Sequence, residues 1–249
     1  MTSLTIVAIP GLPEVVPGAP LAALLLAGLQ RARLQLEPRD ILVVTQKVVS
    51  KAEGRIVDLD QVVPSEEARS LAARTQFEPR HVEVILREST RIVRAAPRVL
   101  VTETRQGFIC ANAGVDRSNV GPGERLVLLP DDADASAARL RQALQASTGV
   151  APGVVISDSF GRPWREGQVN VAIGAAGVAC LRDYRGEADP DGYELQGSVL
   201  AVGDEVAAAA ELVMGKLDRI PAALVRGLDL RGEGDARGLR RDPVTDLFR

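Results

Sequence analysis

Short runs of apolar residues alternate along the chain with longer segments in which apolar positions recur every three or four residues. The short runs predict β-strands, and the longer segments predict amphipathic helices. The predicted strands are 4–9, 41–45, 99–102, 108–111, 126–129, 154–157, 199–202 and 223–225. The predicted helices are 21–34, 65–75, 80–88, 136–147 and 204–214. This mixture predicts an α/β fold of the mixed α+β type, with two interleaved lobes of mixed β-sheets flanked by helices.

Polar and turn-forming residues mark the ends of several predicted elements. Ser65 precedes two glutamates and predicts a helix N-cap, and Ser136 predicts a second one. Gly, Pro and Asp gather in 185–193, which predicts a loop. The segment after Gly227 is rich in Gly, Arg and Asp, so we expect a surface segment or an arm that lies on a partner.

The composition favours a globular protein with an aliphatic core. Apolar residues make up 46% of the chain and aromatic residues only 3%, which is too few for a platform that stacks on nucleic-acid bases. The formal net charge is -3, with both signs mixed along the chain, which argues against a polyanion as partner. We therefore expect no nucleic acid among the partners.

The cysteines, the N-terminus and the apolar runs bear on the cellular compartment in which the chain is expected. Cys110 and Cys180 are far apart and form no CxxC motif, so no disulfide framework is predicted. The N-terminus lacks the order of a signal peptide. The apolar run 21–29 is too short to cross a membrane and is followed by Arg31 and Arg33. A cytoplasmic location with no membrane contact is the expectation.

Two aspartates are the candidate metal ligands. Asp116 and Asp158 each follow an apolar run and stand beside small residues with hydroxyl or amide groups. Carboxylates on loops, with few His or Cys residues available, suit oxygen-preferring ions such as Mg²⁺ or Mn²⁺. Ser159 adds a hydroxyl, and Asn119 could hold a base or a ribose. The alternative is that both aspartates cap loops as Asx-turns.

Phosphate binding has candidates of its own, although neither GxxxxGK[ST] nor a GxGxxG after a strand is present. Lys47 and Lys51 follow the predicted strand 41–45 directly, where cations are well placed for phosphate oxygens. A solvated basic turn is the alternative interpretation.

Three further groups of residues could take part in the chemistry or in the structure. Arg162 and Arg165, on either side of Trp164, could bind a phosphodiester or carboxylate, or could belong to a surface loop. The sole histidine, His81, is expected on a helix surface without a catalytic role. Cys110 is expected to be a small core residue rather than a nucleophile.

The ordered set of motifs resembles the coenzyme F420-0:L-glutamate ligase (F420-0 gamma-glutamyl ligase) family. The most specific matches are Asn-Ala-Gly-Val-Asp, which ends at Asp116, and Asp-Ser-Phe-Gly-Arg, which begins at Asp158. The resemblance covers nearly the whole chain. The matching stretches are 11–13, 49–55, 111–120, 157–165, 172–174 and 225–227.

The resemblance implies a GTP-dependent ligase that adds L-glutamate to coenzyme F420-0 and then extends a gamma-linked tail, through an acyl phosphate. It also implies Mg²⁺ or Mn²⁺ and a homodimer with the active site near the subunit interface. By position, Asp116, Asp158 and Ser159 are implied metal ligands. The implied GTP contacts are Gly11, Leu12, Pro13, Glu14, Gln46, Lys47, Lys51, Asn119 and the loop that begins with Met214, Gly215 and Lys216.

The chain departs from the family pattern at one implied ligand. Archaeal-type members of the family that this chain resembles carry a Glu at the position of Lys216, so a cation replaces a carboxylate. Either a second metal is bound differently, or Lys216 itself contacts phosphate. The chain stops at Arg249, so we expect residues 1–249 to form the ligase domain, without the nitroreductase-like flavin domain of some bacterial relatives.

Two rival functions remain open at this point. One is a metal-dependent ligase that acts on another carboxylate acceptor. The other is a non-catalytic protein that binds a nucleotide or F420. Release of phosphate from GTP, and the identity of any glutamylated product, would distinguish these two functions from the F420-0 ligase that the resemblance implies.

Overall fold

A computed structural model describes residues 3–117 and 123–246. The strands are β1 (Thr5–Ala8), β2 (Ile41–Thr45), β3 (Ile56–Asp58), β4 (Ser89–Ala96), β5 (Val99–Thr104), β6 (Ile109–Ala111), β7 (Arg125–Val127), β8 (Gly153–Arg162), β9 (Arg165–Ala176), β10 (Arg182–Asp183), β11 (Val199–Leu200) and β12 (Ala222–Arg226). The helices are α1 (Leu21–Arg31), α2 (Gln46–Ala52), α3 (Glu66–Thr75), α4 (Pro79–Arg87), α5 (Ala133–Thr148) and α6 (Val202–Met214). Short 3-10 turns cover Leu59–Gln61, Asn112–Gly114 and Ala236–Leu239. In the described part of the chain, none of the helices is long and apolar enough to cross a membrane.

The main lobe is built on a five-stranded mixed sheet with the order β1-β12-β2-β8-β9. β2 and β8 run parallel, and the other neighbours in this sheet run antiparallel. The first four residues of β2 are buried, because both faces of the sheet are covered. This double burial explains why β2 is a continuous apolar run rather than an alternating one.

The two faces of the main sheet pack against different helices. Leu42 and Val44 of β2 point into a core that includes residues of α1 and α5. Ile41 and Val43 point into a second core with α6, which contributes Val206 among others. Alternate residues of one strand therefore stabilise two separate helix layers.

The second lobe is inserted into the chain between α2 and α5. It contains the antiparallel pair β3-β7, the sheet β4-β5-β6 and the helices α3 and α4. Its own core includes Leu59, Leu71, Val82, Ile85 and Leu126. The predicted mixed α/β class, with mixed sheets flanked by helices, is confirmed.

Several predicted boundaries were wrong. Gln46–Ala52 forms the helix α2 and not a solvated basic turn, since Lys51 and Gln46 are buried. Ser65 does cap α3, because its side chain accepts a hydrogen bond from the N–H of Ala68 at 3.2 Å. Ser136 lies inside α5, which begins earlier because the Asp132 side chain accepts the N–H of Ala135. The strands β4 and β9 were missed altogether. β8 continues to Arg162, so Asp158 and Ser159 lie within a strand and not on a loop after residue 157, because they pair with Val171 and Asn170 of β9.

The chain after Gly227 does not project as an arm in the described part. Leu228, Leu230 and Leu239 pack against the core on the α6 side, and Ala236 is buried. The N–H of Ala179 donates to the carbonyl of Leu230 at 2.7 Å. Scattered leucines therefore hold the segment against the main lobe, despite its polar composition.

Gly174 of β9 lies directly under the first turn of α5. A Cβ atom at this position would lie 2.3 Å from the carbonyl carbon and 2.4 Å from the carbonyl oxygen of Ala133. Such distances are far inside van der Waals contact, so only glycine permits this approach of helix and strand.

We predict that Gly174→Ala lowers the free energy of unfolding by about 1–3 kcal/mol, because α5 must shift away from the sheet. Urea unfolding followed by circular dichroism measures this change. Gly161→Ala in β8 is the control, since nothing lies within 4 Å of the added Cβ there. Equal stability of the two variants would contradict the packing argument.

Candidate active site

The parallel pair β2-β8 brings two chain segments to the same edge of the main sheet. Thr45, the last residue of β2, lies opposite Ser157 of β8. The next residues of the two segments are Gln46 and Lys47 on one side and Asp158 and Ser159 on the other. Crevices at the carboxyl ends of parallel strands are the usual place for ligands in open α/β sheets.

Asp116 reaches this edge from the second lobe. It follows the 3-10 turn Asn112–Gly114, and its backbone exchanges hydrogen bonds with Val127 at 2.9 and 2.8 Å. Its carboxylate forms an ion pair with Lys47 at 2.7 Å. A backbone bridge to Val127 and a charge pair to α2 thus fix the aspartate between the two lobes.

Asp158 and Asp116 belong to the same electrostatic site. The pKa of the Asp158 carboxyl is raised to about 7, first by burial and further by the nearby Asp116 carboxylate. The charges of Lys47 and Lys216 oppose this rise. Two carboxylates and two ammonium groups therefore act on one another at this edge of the sheet.

The oxygen atoms at this position are of the type that Mg²⁺ and Mn²⁺ prefer. Asp116 and Asp158 offer carboxylates, and Ser159 offers a hydroxyl. Within residues 3–117 and 123–246, no group of three or more His, Cys, Asp or Glu side chains is arranged to hold a metal. The two aspartates fit one divalent ion, whose remaining ligands would have to be supplied from outside these side chains.

Ser159 stands in a chain of hydrogen bonds that the sequence alone did not predict. Lys216 donates to the Ser159 hydroxyl, which donates to Oδ1 of Asn170 at 2.7 Å. Nδ2 of Asn170 donates to Oε2 of Glu211 at 2.8 Å. Asn170 is only 3% exposed, so its amide links the site to α6 through the interior. The alternation of β9 would have placed Asn170 on a strand face, but not beside Ser159.

The loop that carries Gly11 and Glu14 contacts α2. Glu14 accepts a hydrogen bond from the ammonium of Lys51, whose side chain is 7% exposed. Gly11 has a φ of +76° and its carbonyl accepts from Arg31 at 2.7 Å. Leu12 packs against the core beneath α1. The loop is therefore held at the same end of the sheet as Lys47.

Gln46 supplies an unusual polar group beside this loop. Its side chain is 1% exposed, and its Oε1 accepts from Ser50 at 2.9 Å. Its Nε2 is buried and has no hydrogen-bond partner among the described residues. A buried donor without a hydrogen-bond partner destabilises the folded protein. An acceptor atom of a bound ligand would supply the missing hydrogen bond and offset this cost.

Comparison with known proteins identifies the family. A family model described as F420-0:Gamma-glutamyl ligase matches residues 11–227. This chain is a member of the F420-0:gamma-glutamyl ligase family.

Curated relatives agree with the family model over most of their length. The chain is 49% identical to a coenzyme F420:L-glutamate ligase of Methanopyrus kandleri, over 90% of this chain and 91% of the relative. It is 43% identical to the protein of the same name from Methanothermobacter thermautotrophicus, over 99% of both chains. A Haloarcula marismortui relative with that name is 42% identical over 97% of this chain and 94% of its own length.

In this family member, the last residue of α6 is buried and the loop after it is exposed. Met214 is fully buried in the core, so its side chain faces away from solvent. Gly215 and Lys216 are exposed, and the N–H of Gly215 donates to the carbonyl of Glu211 at 3.0 Å. Of this loop, Lys216 is the residue whose side chain contacts the site.

Arg162 and Arg165 lie away from the two aspartates. They face each other where β8 turns into β9, and Trp164 between them is 80% exposed. Four residues of extended strand separate Arg162 from Asp158, which is roughly 13 Å. The structure therefore places these arginines at the end of a hairpin and not among the charged groups of the site.

The remaining predicted residues have mixed outcomes. Asn119 lies outside the described residues. His81 is not a plain surface residue: it is half-buried, its ring contacts Phe77 edge-on, and burial lowers its pKa. Cys110 is buried in β6, which confirms its expected place in the core, and burial raises the pKa of its thiol to about 12.

Proposed function

We propose that this chain adds L-glutamate to coenzyme F420-0 with GTP as co-substrate and then extends the tail through gamma linkages. The observation that carries the proposal is the meeting of Asp116 and Asp158 with Lys47 and Lys216 at the carboxyl edge of the main sheet. Membership of the family, and relatives that bear the name coenzyme F420:L-glutamate ligase, supply the acceptor and the amino acid.

The reaction needs an activated carboxyl group, because a free carboxylate would have to expel oxide. Transfer of the γ-phosphoryl group of GTP to the carboxylate gives an acyl phosphate and GDP. The amine of glutamate then attacks the acyl carbon, the amide forms, and phosphate leaves with the electron pair. Enzymes accelerate such phosphoryl transfer mainly by positioning the reactants and by offsetting phosphate charge.

The lysines of the site are suited to offsetting that charge. Lys47 is oriented by the Asp116 carboxylate, and Lys51 is oriented by Glu14. We assign both ammonium groups to phosphate oxygens of GTP. Asp116 and Asp158, with the hydroxyl of Ser159, are assigned to Mg²⁺ or Mn²⁺, which would neutralise phosphate charge when bound.

The loops around these charges are assigned to the rest of the nucleotide. Gly11, Leu12, Pro13 and Glu14 are assigned to one side of the nucleotide. The segment Met214, Gly215 and Lys216 is assigned to the other side, where Lys216 is the residue whose side chain contacts the site. The unpartnered amide of Gln46 supports a polar ligand between them. Asn119 is assigned to GTP through the family resemblance alone.

Arg162 and Arg165 are assigned to the acceptor substrate, whose phosphodiester and carboxylate groups are anionic. They lie on an exposed hairpin end beside Trp164, a position that a second subunit could cover. We therefore propose a homodimer in which this hairpin helps to form the acceptor site.

The proposed reaction predicts a ladder of products. Incubation of the protein with F420-0, GTP, Mn²⁺ and L-glutamate should give masses that increase by one glutamyl unit at a time, with one GDP per unit. Mass spectrometry of the acceptor and chromatography of the nucleotide measure both quantities. GTP binding without GDP release would favour a non-catalytic protein, and glutamylation of other carboxylates but not F420-0 would favour a different ligase. Replacement of GTP by ATP tests the choice of base.

Asp116→Asn should reduce GDP formation by at least ~100-fold, since loss of one metal-binding carboxylate removes several kcal/mol of charge stabilisation. Stopped assays of GDP in the presence of F420-0 and glutamate measure the loss. The matched control is Asp191→Asn, which changes an exposed aspartate in the loop between β10 and β11. Near-normal turnover by Asp116→Asn would refute the assignment.

The proposed homodimer should have a mass in solution of about twice the 26.4 kDa of one chain. Light scattering coupled to size-exclusion chromatography measures it. Trp164→Glu should shift the mass towards that of a monomer, because a charge replaces an exposed indole at the proposed interface. A monomer at all concentrations would contradict the proposal.

A further inference from the structure

The chain contains three lysines against 27 arginines, and the three are Lys47, Lys51 and Lys216. All three approach the candidate site. Lys47 pairs with Asp116, Lys51 pairs with Glu14, and Lys216 donates to the hydroxyl of Ser159. Elsewhere in the chain, the long basic side chains are all arginines. Lysine occurs only at these three positions, where its ammonium group contacts oxygen atoms of the site.

The difference between the two side chains gives this distribution a physical meaning. A guanidinium group is planar and spreads its charge over five N–H donors, whereas an ammonium group is a small point charge. Lys216 extends from an exposed loop and places that point charge on Ser159. In size and charge density, an ammonium group is the side-chain group closest to a bound metal ion.

The hydroxyl of Ser159 is engaged on both sides. It donates its hydrogen to Oδ1 of Asn170 and accepts a hydrogen bond from Lys216. Glu211 fixes Asn170 by accepting from Nδ2, so the amide cannot turn without losing that bond. One of the two lone pairs of the Ser159 oxygen is therefore directed at the Lys216 ammonium, which leaves only one for a cation.

The carboxylates available at this end of the site are also few. Asp116 and Asp158 are the acidic groups that act on one another, and the part of the chain that the structure describes holds no cluster of three metal-binding side chains. A second divalent ion beside Ser159 would face Lys216 at short range, and Glu211, the other carboxylate in this chain of hydrogen bonds, already accepts from Asn170. The residues present fit one divalent ion but not two.

We infer that this site holds a single divalent cation, on Asp116 and Asp158, and that the Lys216 ammonium takes the place of a second one. Glu211 and Asn170 act as positioning residues, because they orient the Ser159 oxygen that receives Lys216. The inference rests on the proposed function, since the second positive charge serves to offset phosphate charge during transfer.

The number of bound metal ions tests the inference directly. The protein is saturated with an unreactive β,γ-imido analogue of GTP and titrated with Mn²⁺, while the electron paramagnetic resonance signal of free Mn²⁺ is recorded. Wild-type protein should bind one Mn²⁺ for each bound nucleotide. Lys216→Glu should bind two, because the substitution removes the repelling charge and adds a carboxylate ligand.

Two further variants complete the test. Arg74→Glu makes the same change of charge on an exposed face of α3 and should still bind one ion. Lys216→Met removes the charge without adding a ligand, so it should still bind one ion. Its affinity for the nucleotide should fall roughly tenfold, as expected for the loss of one charge-assisted contact. Two Mn²⁺ of comparable affinity in wild-type protein, or one in Lys216→Glu, would overturn the inference.

The outcomes separate the inference from the function on which it rests. Glutamylated product together with two Mn²⁺ per nucleotide in wild-type protein would overturn the single-ion site and leave the ligase function standing. One Mn²⁺ per nucleotide, with a second gained by Lys216→Glu but no product from F420-0, would support the single-ion site and reject the proposed substrate.

Discussion

The parallel register between β2 and β8 is the constraint on which the site depends. Because Thr45 lies opposite Ser157, the residues that follow the end of β2 must lie beside Asp158 and Ser159 of β8 at one edge of the sheet. Burial of β2 on both faces holds that register, since a slip of one residue would exchange the sets of side chains that face α1 and α6. The packing of two helix layers therefore fixes the distance between Lys47 and Asp158.

Charge balance is the second requirement of this edge. Asp116 and Asp158 repel one another, and burial adds to the cost of their charges. Lys47 and Lys216 reduce that cost, and each is itself held by an oxygen atom of the site. With both carboxyl groups ionised, the four groups sum to zero formal charge. In the proposed function, this balance would let nucleotide and metal enter together without leaving an uncompensated buried charge.

The sequence predicted the elements whose patterns are local and missed those whose reasons are tertiary. The apolar runs of β2 and β8 and the cap at Ser65 were visible because burial and capping leave a mark within a few residues. α2 was missed because its seven residues contain two lysines and a serine and show little amphipathic pattern.

Asp116 and Asp158 were recognised by their neighbours, but their meeting depends on the inserted lobe, which no spacing reveals. Asn170 and Glu211 left no local mark, because their role comes from one hydrogen bond between a strand and a helix.

A bulge in β9 connects the fold to that hydrogen bond. Ile156 pairs with Gly174 but Ser157 pairs with Ala172, so Ile173 is an extra residue on β9. The bulge is held from both faces: Asp204 of α6 accepts the N–H of Ala172, and Asp134 of α5 accepts the N–H of Ala175.

Beyond the bulge, Asn170 lies opposite Ser159, and its amide reaches Glu211. Without the extra residue, the pairing of β9 would shift by one, and the side chain opposite Ser159 would be Val171, which has no polar group to orient the hydroxyl. Two carboxylates at the first turns of α5 and α6 thus determine, through the strand between them, which oxygen of the site receives Lys216.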